Sequence, residues 1–533
     1  MPSSANEITL DETPMNSVQG KFVWIMAHTE FKWLWAPLAD KVKAATGLEP
    51  ILIVSTELDA ESYRDGFALD QIVVSPNPLQ MAIDTEGKYR DQGRVLAEAR
   101  RYEKEYGMTF MRDIIQANRH LGRGFTLGWN GLPRSGASEA TDDITSIGAC
   151  LDMLRFFESL VASHPPALIV AHGSGTGIWG KPFSLVARRY GIEFRNFSSA
   201  RIGGLYYWAK DEFENDPQFE ELANGFGEVS DEDITTARAA VIPTEEFRRY
   251  APKYVELEKL TTLLPRIAHV LVHHLYMRFR RYERAVYGDK PLSTVRRFVQ
   301  VRRDVKYLEN PPFLTFDQLP QNRKLVYFPL QVEPEASLQA QTPECMNQFA
   351  VLIEVALSLP ADALLVVKEH PIQFGLRPRE FYDRILALPN AVMMRPSVSS
   401  LQLIEASHLI CTLNGSAAFE GSILGKPAAY FSRHGLVRCV NHVKRPDNYD
   451  ELAWIRDALD SDDAASQEER ARDGARFYHA LRAYCMDLSG IKFFDLDDSE
   501  RVRHYTEIFA SHLLSSIPQD ICGRRPEHQD REI

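Results

Sequence analysis

Between residues 324 and 431, residues able to hold a phosphorylated ligand recur wherever an apolar run stops: Gln331, then Lys368 and His370, then an Asn414-Gly415-Ser416 turn. In an open parallel sheet the carboxyl ends of the strands line the ligand crevice, so polar side chains at those ends suggest one binding surface. An imidazole at such an end can donate to a phosphate or sugar oxygen, and an ammonium adds positive charge. Pro371 restrains His370 to extended backbone and so aims it out of the sheet. Gly415 can take a positive φ, Ser416 can cap the helix that follows, and backbone amides at such a helix start favour an anion. Glu420 lies one helical turn further on, within reach of a ribose hydroxyl. The ligand these residues suit is a nucleotide carrying phosphate; the alternative is that His370 and Lys368 are a plain loop histidine and a solvated strand-end lysine.

The elements that must position these groups follow from period and punctuation. Residues 324–329, 364–367, 391–394, 409–412 and 428–431 are short apolar runs separated by segments able to form helices, the pattern of a parallel α/β sheet buried on both faces. Further toward the N-terminus, residues 21–27, 50–54 and 167–171 read as strands, with an amphipathic stretch over 31–45 and mostly helical sequence from about 85 to 163. His28 and Glu30 follow the first of these strands, and His172 follows the third. A glycine loop at 173–177 matches a dinucleotide fingerprint at Gly173 and Gly175 but has Ile178 in the sixth position, and Glu193 falls inside a short strand instead of at its end. A loop lining a cleft is the better reading of this loop than NAD binding.

Three stretches, residues 327–337, 366–371 and 411–427, resemble the capsule polysaccharide biosynthesis family, which includes enzymes similar to bacterial Kdo transferases; residues 201–215 look like a further segment of that family. The resemblance spans about residues 20 to 510 and implies two Rossmann-like α/β lobes facing a cleft, the GT-B arrangement, with the nucleotide on the C-terminal lobe and the acceptor on the N-terminal one. It implies that His370 and Ser416 meet the donor phosphate, that Glu420 meets the ribose, and that the donor is a CMP-sugar such as CMP-Kdo. The acceptor it implies is a surface or capsular polysaccharide or a glycolipid. Residues 331–337 read Gln-Val-Glu-Pro-Glu-Ala-Ser where a Gln-x-Glu-Gly-Asp-Ser type of loop is expected, which puts the role of Glu335 in question. The general base is expected among His28, Glu30 and His172, with His370 assisting catalysis. The alternatives are a UDP-sugar epimerase, a transferase acting on CDP-glycerol, or a non-catalytic partner that binds a nucleotide-sugar.

Composition sets the outer bounds. A chain of 533 residues with 44% hydrophobic and 25% charged residues suits two soluble domains. The expected layout is a mobile tail over 1–19, an acceptor-side lobe over 20–245, a basic helical connector over 246–319, a nucleotide lobe over 320–490, a helix over 491–517 packing back on the first lobe, and a tail over 518–533. The net charge of −12 argues against nucleic acid. Residues 278–306 run the other way, with ten Lys or Arg against three acids; they suit an anionic membrane surface, and a solvated connector explains them equally. No apolar run approaches a membrane span and no secretory signal opens the sequence, so the expected location is cytoplasmic, peripheral to the inner membrane face if the basic region binds it. The six cysteines have no CxxC spacing, which fits reduced thiols. The Asp-x-Asp patterns at 460–462 and 495–497 follow no clear strand, so no metal and no cofactor is expected.

Overall fold

The computed structural model describes residues 20–27, 32–77, 87–108, 111–116, 141–172, 177–241, 291–333, 335–374, 377–461, 463–489 and 498–522, with a few short pieces elsewhere. The chain forms two compact units, one from Met1–Ile115, Asp142–Phe197 and Lys492–Ile533, the other from Gln116–Thr141 and Ser198–Ile491. His28, Glu30, Gly173 and Gly175 lie outside the described residues, as do 278–290, Asp462 and 492–497.

In the first unit five parallel strands, β1 (Phe22–Met26), β2 (Glu49–Val54), β3 (Ile72–Val74), β4 (Pro166–His172) and β5 (Glu193–Ser199), pair in the order β5-β4-β1-β2-β3. Consecutive residues Val23, Trp24 and Ile25 are all buried, as are Leu168 and Ile169, so helices cover both faces. Asp142 caps the helix Asp143–Ser163 by accepting from Thr145 N, and Phe157 of that helix meets Phe183 of the helix Gly177–Tyr190 at 4.4 Å. The helix Ser499–Ser516 lies in this unit, where Phe509 packs on Trp33 and Phe197.

In the second unit β6 (Leu205–Ala209) pairs antiparallel with β13 (Met486–Asp487). Helices Pro217–Gly225 and Asp231–Val241 pack on helix Ala464–Tyr484, with Phe219 and Phe477 at 5.9 Å. That packing is why residues 198–241 fall with the second unit, where the motifs alone place everything up to 245 in the first. The main sheet of this unit comprises β7 (Lys324–Pro329), β8 (Ala363–Lys368), β9 (Ala391–Met393), β10 (Leu409–Thr412), β11 (Ala428–Tyr430) and β12 (Val443–Lys444), in the order β12-β11-β10-β7-β8-β9, all parallel. Its side chains alternate between two apolar layers: Tyr327, Val366 and Ile410 on one face, Phe328, Val367 and Cys411 on the other. Gly421 is required by this packing, because a Cβ there would lie 2.0 Å from Ile410 Cδ1 and push helix Ala417–Ile423 off β10.

Candidate functional site

The chain order of the second sheet runs outward from β7 to β8 and β9 on one side, then returns to β10, β11 and β12 on the other. The reversal lies between β7 and β10, and in open α/β sheets the crevice outside the carboxyl ends at such a reversal takes the ligand. Gln331 follows β7 and the Asn414-Gly415-Ser416 turn follows β10, so the two motifs flank it. Gln331 Nε2 donates to Thr412 Oγ1 at 3.2 Å, and that hydroxyl also accepts the Gly415 N–H at 3.2 Å.

Gly415 serves here by its size, since a Cβ would stand 2.7 Å from Gln331 Nε2 and 2.8 Å from Thr412 Oγ1. Its φ is not in the left-handed region, contrary to the expectation from sequence. Ser416 is likewise not a capping residue of the expected kind: its backbone is right-handed helical, and its side chain makes no capping bond. The hydroxyl bonds to Glu420 instead, which eases a carboxyl that burial holds above its ordinary pKa. Helix Ala417–Ile423 is only seven residues long, so its dipole offers little to an anion.

At the end of β8 the alternation of the strand sends neighbours to opposite faces. Lys368 turns to the face of Tyr327, where its ammonium donates to Ser400 Oγ at 3.0 Å; the Tyr327 hydroxyl also bonds Ser400 and senses Glu420. Lys368, Ser400, Tyr327, Glu420 and Ser416 thus form one polar row beneath the strand ends. Glu369 turns the other way into a buried cluster. Arg377 pairs with Glu333 at 2.8 Å and with Glu369 at 2.7 Å, the latter without hydrogen-bond alignment, and donates to the Gln331 carbonyl at 2.5 Å. Glu369 also accepts from the Tyr382 hydroxyl and, at 2.7 Å, from the His370 N–H. Gln348 completes the cluster, its amide bridging Gln331 O and Glu333. The ends of β7 and β8 are thereby tied to one guanidinium. His370 is half-buried at this point, and a short 3₁₀ turn, Pro371–Gln373, follows it.

Burial, with Lys368 and Arg377 nearby, pushes the His370 imidazole down to about 4, so at neutral pH it is an uncharged donor of one N–H. Burial likewise brings Lys368 down to about 8, partly offset by Glu309. A group whose folded value is depressed contributes stability above its unfolded value that is lost as pH falls through the folded one, so charged Lys368 weighs against folding at neutral pH; an anion beside it removes that cost. The charge itself disappears as pH rises through about 8. Nucleotide affinity should therefore fall between pH 7 and 9.5 in the wild type and stay level in Lys368→Arg, whose guanidinium does not titrate there. Isothermal titration at the two pH values checks this, and a wild-type affinity indifferent to pH would remove Lys368 from ligand binding.

The first sheet has its own reversal, between β1 and β4. His172 ends β4 there, half-buried, with its ring 6.0 Å from Trp35 and 5.9 Å from Phe197. Glu193 opens β5 and reaches Arg195 of the same strand. Asp460 of the 460–462 pattern ends a helix and pairs with Lys324 at 2.9 Å. Among the described residues no group of three His, Cys, Asp or Glu could hold a metal, and five cysteines are unpaired thiols.

A cavity of about 350 Å³ opens in the second unit at the opposite end of the strands, lined in part by Arg238, His408, Lys426 and Arg470. Arg470 donates to the carbonyls of Gly425 and Ser461, and His408 Nδ1 accepts the Leu325 N–H. The Arg470 guanidinium is thus accounted for by carbonyls at the ends of helices.

Motif reading missed Glu333, Arg377, Thr412 and Ser400, and also Gln341 and Tyr430, which respectively accept from and donate to the Asn414 side-chain amide. Glu333 had a signal, as the acid of the Gln-Val-Glu run, whereas Arg377 is a lone arginine in a connecting segment and had none. Glu335, the uncertain acid of that run, starts helix Ala336–Gln339, whose Gln339 side chain accepts its N–H.

Parallel sheets covered on both faces, with polar side chains at a strand-order reversal, define an α/β protein with Rossmann-like lobes. Residues 230–439 match the model of the capsule polysaccharide biosynthesis protein family. That segment holds Gln331, Lys368, His370, the Asn414-Gly415-Ser416 turn and Glu420, and it bears out the resemblance drawn from the motifs. Comparison with curated proteins gives no match. Among solved structures, the chain is similar to the β-Kdo 2,7 transferase of Thermosulfurimonas dismutans KpsC at 15% identity, covering 67% of this chain and 88% of that one with a TM-score of 0.33. The β-Kdo 2,4 transferase of the same protein is 13% identical over 54% of this chain and 78% of that one, TM-score 0.28. A UDP-GlcNAc 2-epimerase from Neisseria meningitidis is 10% identical over 93% and 99%, TM-score 0.27. At such scores these likenesses carry no argument, and the fold class rests on the strand order. No described helix is long and apolar enough to cross a membrane.

Proposed function

We propose that the chain is a glycosyltransferase of surface or capsular polysaccharide synthesis whose second unit holds a nucleotide-sugar, with a CMP-sugar such as CMP-Kdo the favoured donor. The observation that carries this reading is the position of Gln331 and Asn414-Gly415-Ser416 on either side of the strand-order reversal, inside the segment that matches the capsule family. The departing phosphate would be stabilised by fixed protein donors: the neutral His370 N–H, the Lys368 ammonium and the Ser416 hydroxyl. Such preorganised groups replace the solvent reorganisation that a phosphate leaving group demands in water. On this account the protein's own donors suffice and transfer needs no metal. Glu420, ionised, would accept a ribose hydroxyl. The base that takes the acceptor hydroxyl proton is assigned to His28, Glu30 or His172, of which His172 is described, at the reversal of the first sheet.

The direct experiment mixes the purified chain with CMP-sugar and a polysaccharide or glycolipid acceptor, with and without excess chelator. CMP release that requires the acceptor and survives the chelator is expected. Conversion of a sugar nucleotide with no acceptor present would transfer the protein to the epimerase class. Glu420→Ala is expected to weaken nucleotide binding about tenfold, the loss of one hydrogen bond to a charged group, while kcat at saturating donor falls less. Unchanged affinity in a titration would end the ribose assignment.

Helix Pro291–Leu308 belongs to the basic region, and Arg296, Val299, Arg303 and Lys306 on it are exposed. We assign to that face a peripheral contact with an anionic membrane at the cytoplasmic side. Sedimentation with phosphatidylglycerol vesicles at low salt, lost at high salt, is the expected behaviour; equal recovery with neutral vesicles would remove the assignment.

A further inference from the structure

Two residues other than glycine have a left-handed backbone among the described residues, Arg201 at φ 62° and Glu214 at φ 65°. L-residues in that region carry strain that persists only where the surroundings impose it, and such outliers gather at functional sites. These two are ion-paired to each other at 2.7 Å, and the same guanidinium donates to both acceptors of Asn414, the carbonyl at 2.7 Å and Oδ1 at 2.8 Å. Its carbon sits 5.3 Å from the centre of the Phe419 ring, in the helix that follows the turn. Gln341 links Arg201 to Asn414 a second time, accepting from Asn414 Nδ2 at 2.7 Å. On the far side, the Glu214 carbonyl accepts the Tyr207 hydroxyl at 2.9 Å, which anchors the loop carrying the carboxylate to β6.

We propose that Arg201, braced by Glu214, is the positioning residue of the donor turn: it holds Asn414-Gly415-Ser416 in the conformation that receives the nucleotide. The proposal rests on the reading of that turn as the donor site. Stability alone is a poor reason for the arrangement, because even a half-buried ion pair is costly to desolvate and apolar packing of the same volume would hold a loop as well. Two strained backbones joined by one ion pair, with the free edge of the fork clasping the turn, make sense where the shape of that turn matters. A lysine could supply the charge but not a planar fork that serves Asn414 twice and Glu214 as well.

The test is titration of CMP into wild type, Arg201→Lys, Arg201→Ala, Glu214→Gln and Gly415→Ala, with a melting curve for each. Both Arg201 variants should bind CMP at least tenfold more weakly, with Arg201→Lys folded at the titration temperature, and Glu214→Gln, which keeps a hydrogen-bond acceptor, should recover part of the affinity. If Gly415→Ala loses affinity while Arg201→Lys binds like wild type, the positioning role is overturned and the donor site stands. If none of the four variants changes CMP binding, the donor-site reading falls and this inference with it. If the loss in Arg201→Ala disappears at a lower temperature where that variant is fully folded, Arg201 is merely structural and the proposal is wrong.

Discussion

Arg377→Met is expected to lower the stability of the second unit by about 3–5 kcal/mol, the usual cost of removing one partner from a buried ion pair. The Arg377 side chain is wholly buried, and Glu333 and Glu369 are each about 2% exposed, so two carboxylates would be left facing each other without a cation. For a unit of this size the deficit corresponds to a drop in melting temperature on the order of 10 °C. The effect has a pH signature. Burial raises the Glu369 pKa above its ordinary value while Arg377 pulls it down, so without the guanidinium the carboxyl titrates higher still. A carboxyl with a raised folded pKa favours folding below its unfolded value and loses that contribution as pH rises through the folded one, so the variant should be more impaired at pH 8 than at pH 5. Thermal melts at the two pH values give the answer; a variant as stable as wild type at pH 8 would mean that the cluster is not the clamp on β7 and β8.

His370→Ala should cut transfer about 10²–10³-fold, the loss expected for one preorganised donor at a leaving group. The melting temperature should barely move, because the contact of residue 370 with Glu369 runs through the backbone N–H, which alanine retains. With its pKa down at about 4 the imidazole is neutral by pH 6, so the wild-type rate profile from pH 6 to 8 should owe nothing to its titration. Steady-state kinetics beside a melting curve distinguish the outcomes, and full activity in the variant would take His370 out of the mechanism.

The strands of the second unit were readable almost to the residue, at 324–329 and 409–412 without error, because a parallel strand covered on both faces must be apolar at consecutive positions. The helix after the Asn-Gly-Ser turn was readable for a similar reason, since turn residues mark where strand periodicity ends. Local rules failed at the turn, once to a neighbour on the same helix and once to a distant side chain. Ser416 has the composition of a cap, yet its hydroxyl bonds Glu420, and Gly415 is needed for room beside Gln331 and not for its dihedral. The residues that stiffen the site were invisible for a further reason. Arg377 meets Glu333 across 44 positions and Arg201 meets Asn414 across 213, and a pair so far apart leaves no spacing in one sequence.

The central claim is that the carboxyl edge of the second sheet, at the reversal between β7 and β10, binds the nucleotide of the donor. Thermal shift of the wild-type protein with CMP, CDP, UDP, GDP and NAD tests it before any acceptor is known. A ligand at a hundred times its dissociation constant adds about 2.7 kcal/mol, which is a readable shift. The account predicts that CMP raises the melting temperature, that NAD does not, and that the CMP shift shrinks in Glu420→Ala. A response to NAD alone, or a CMP response unaltered by Glu420→Ala and by Gly415→Ala, would contradict it.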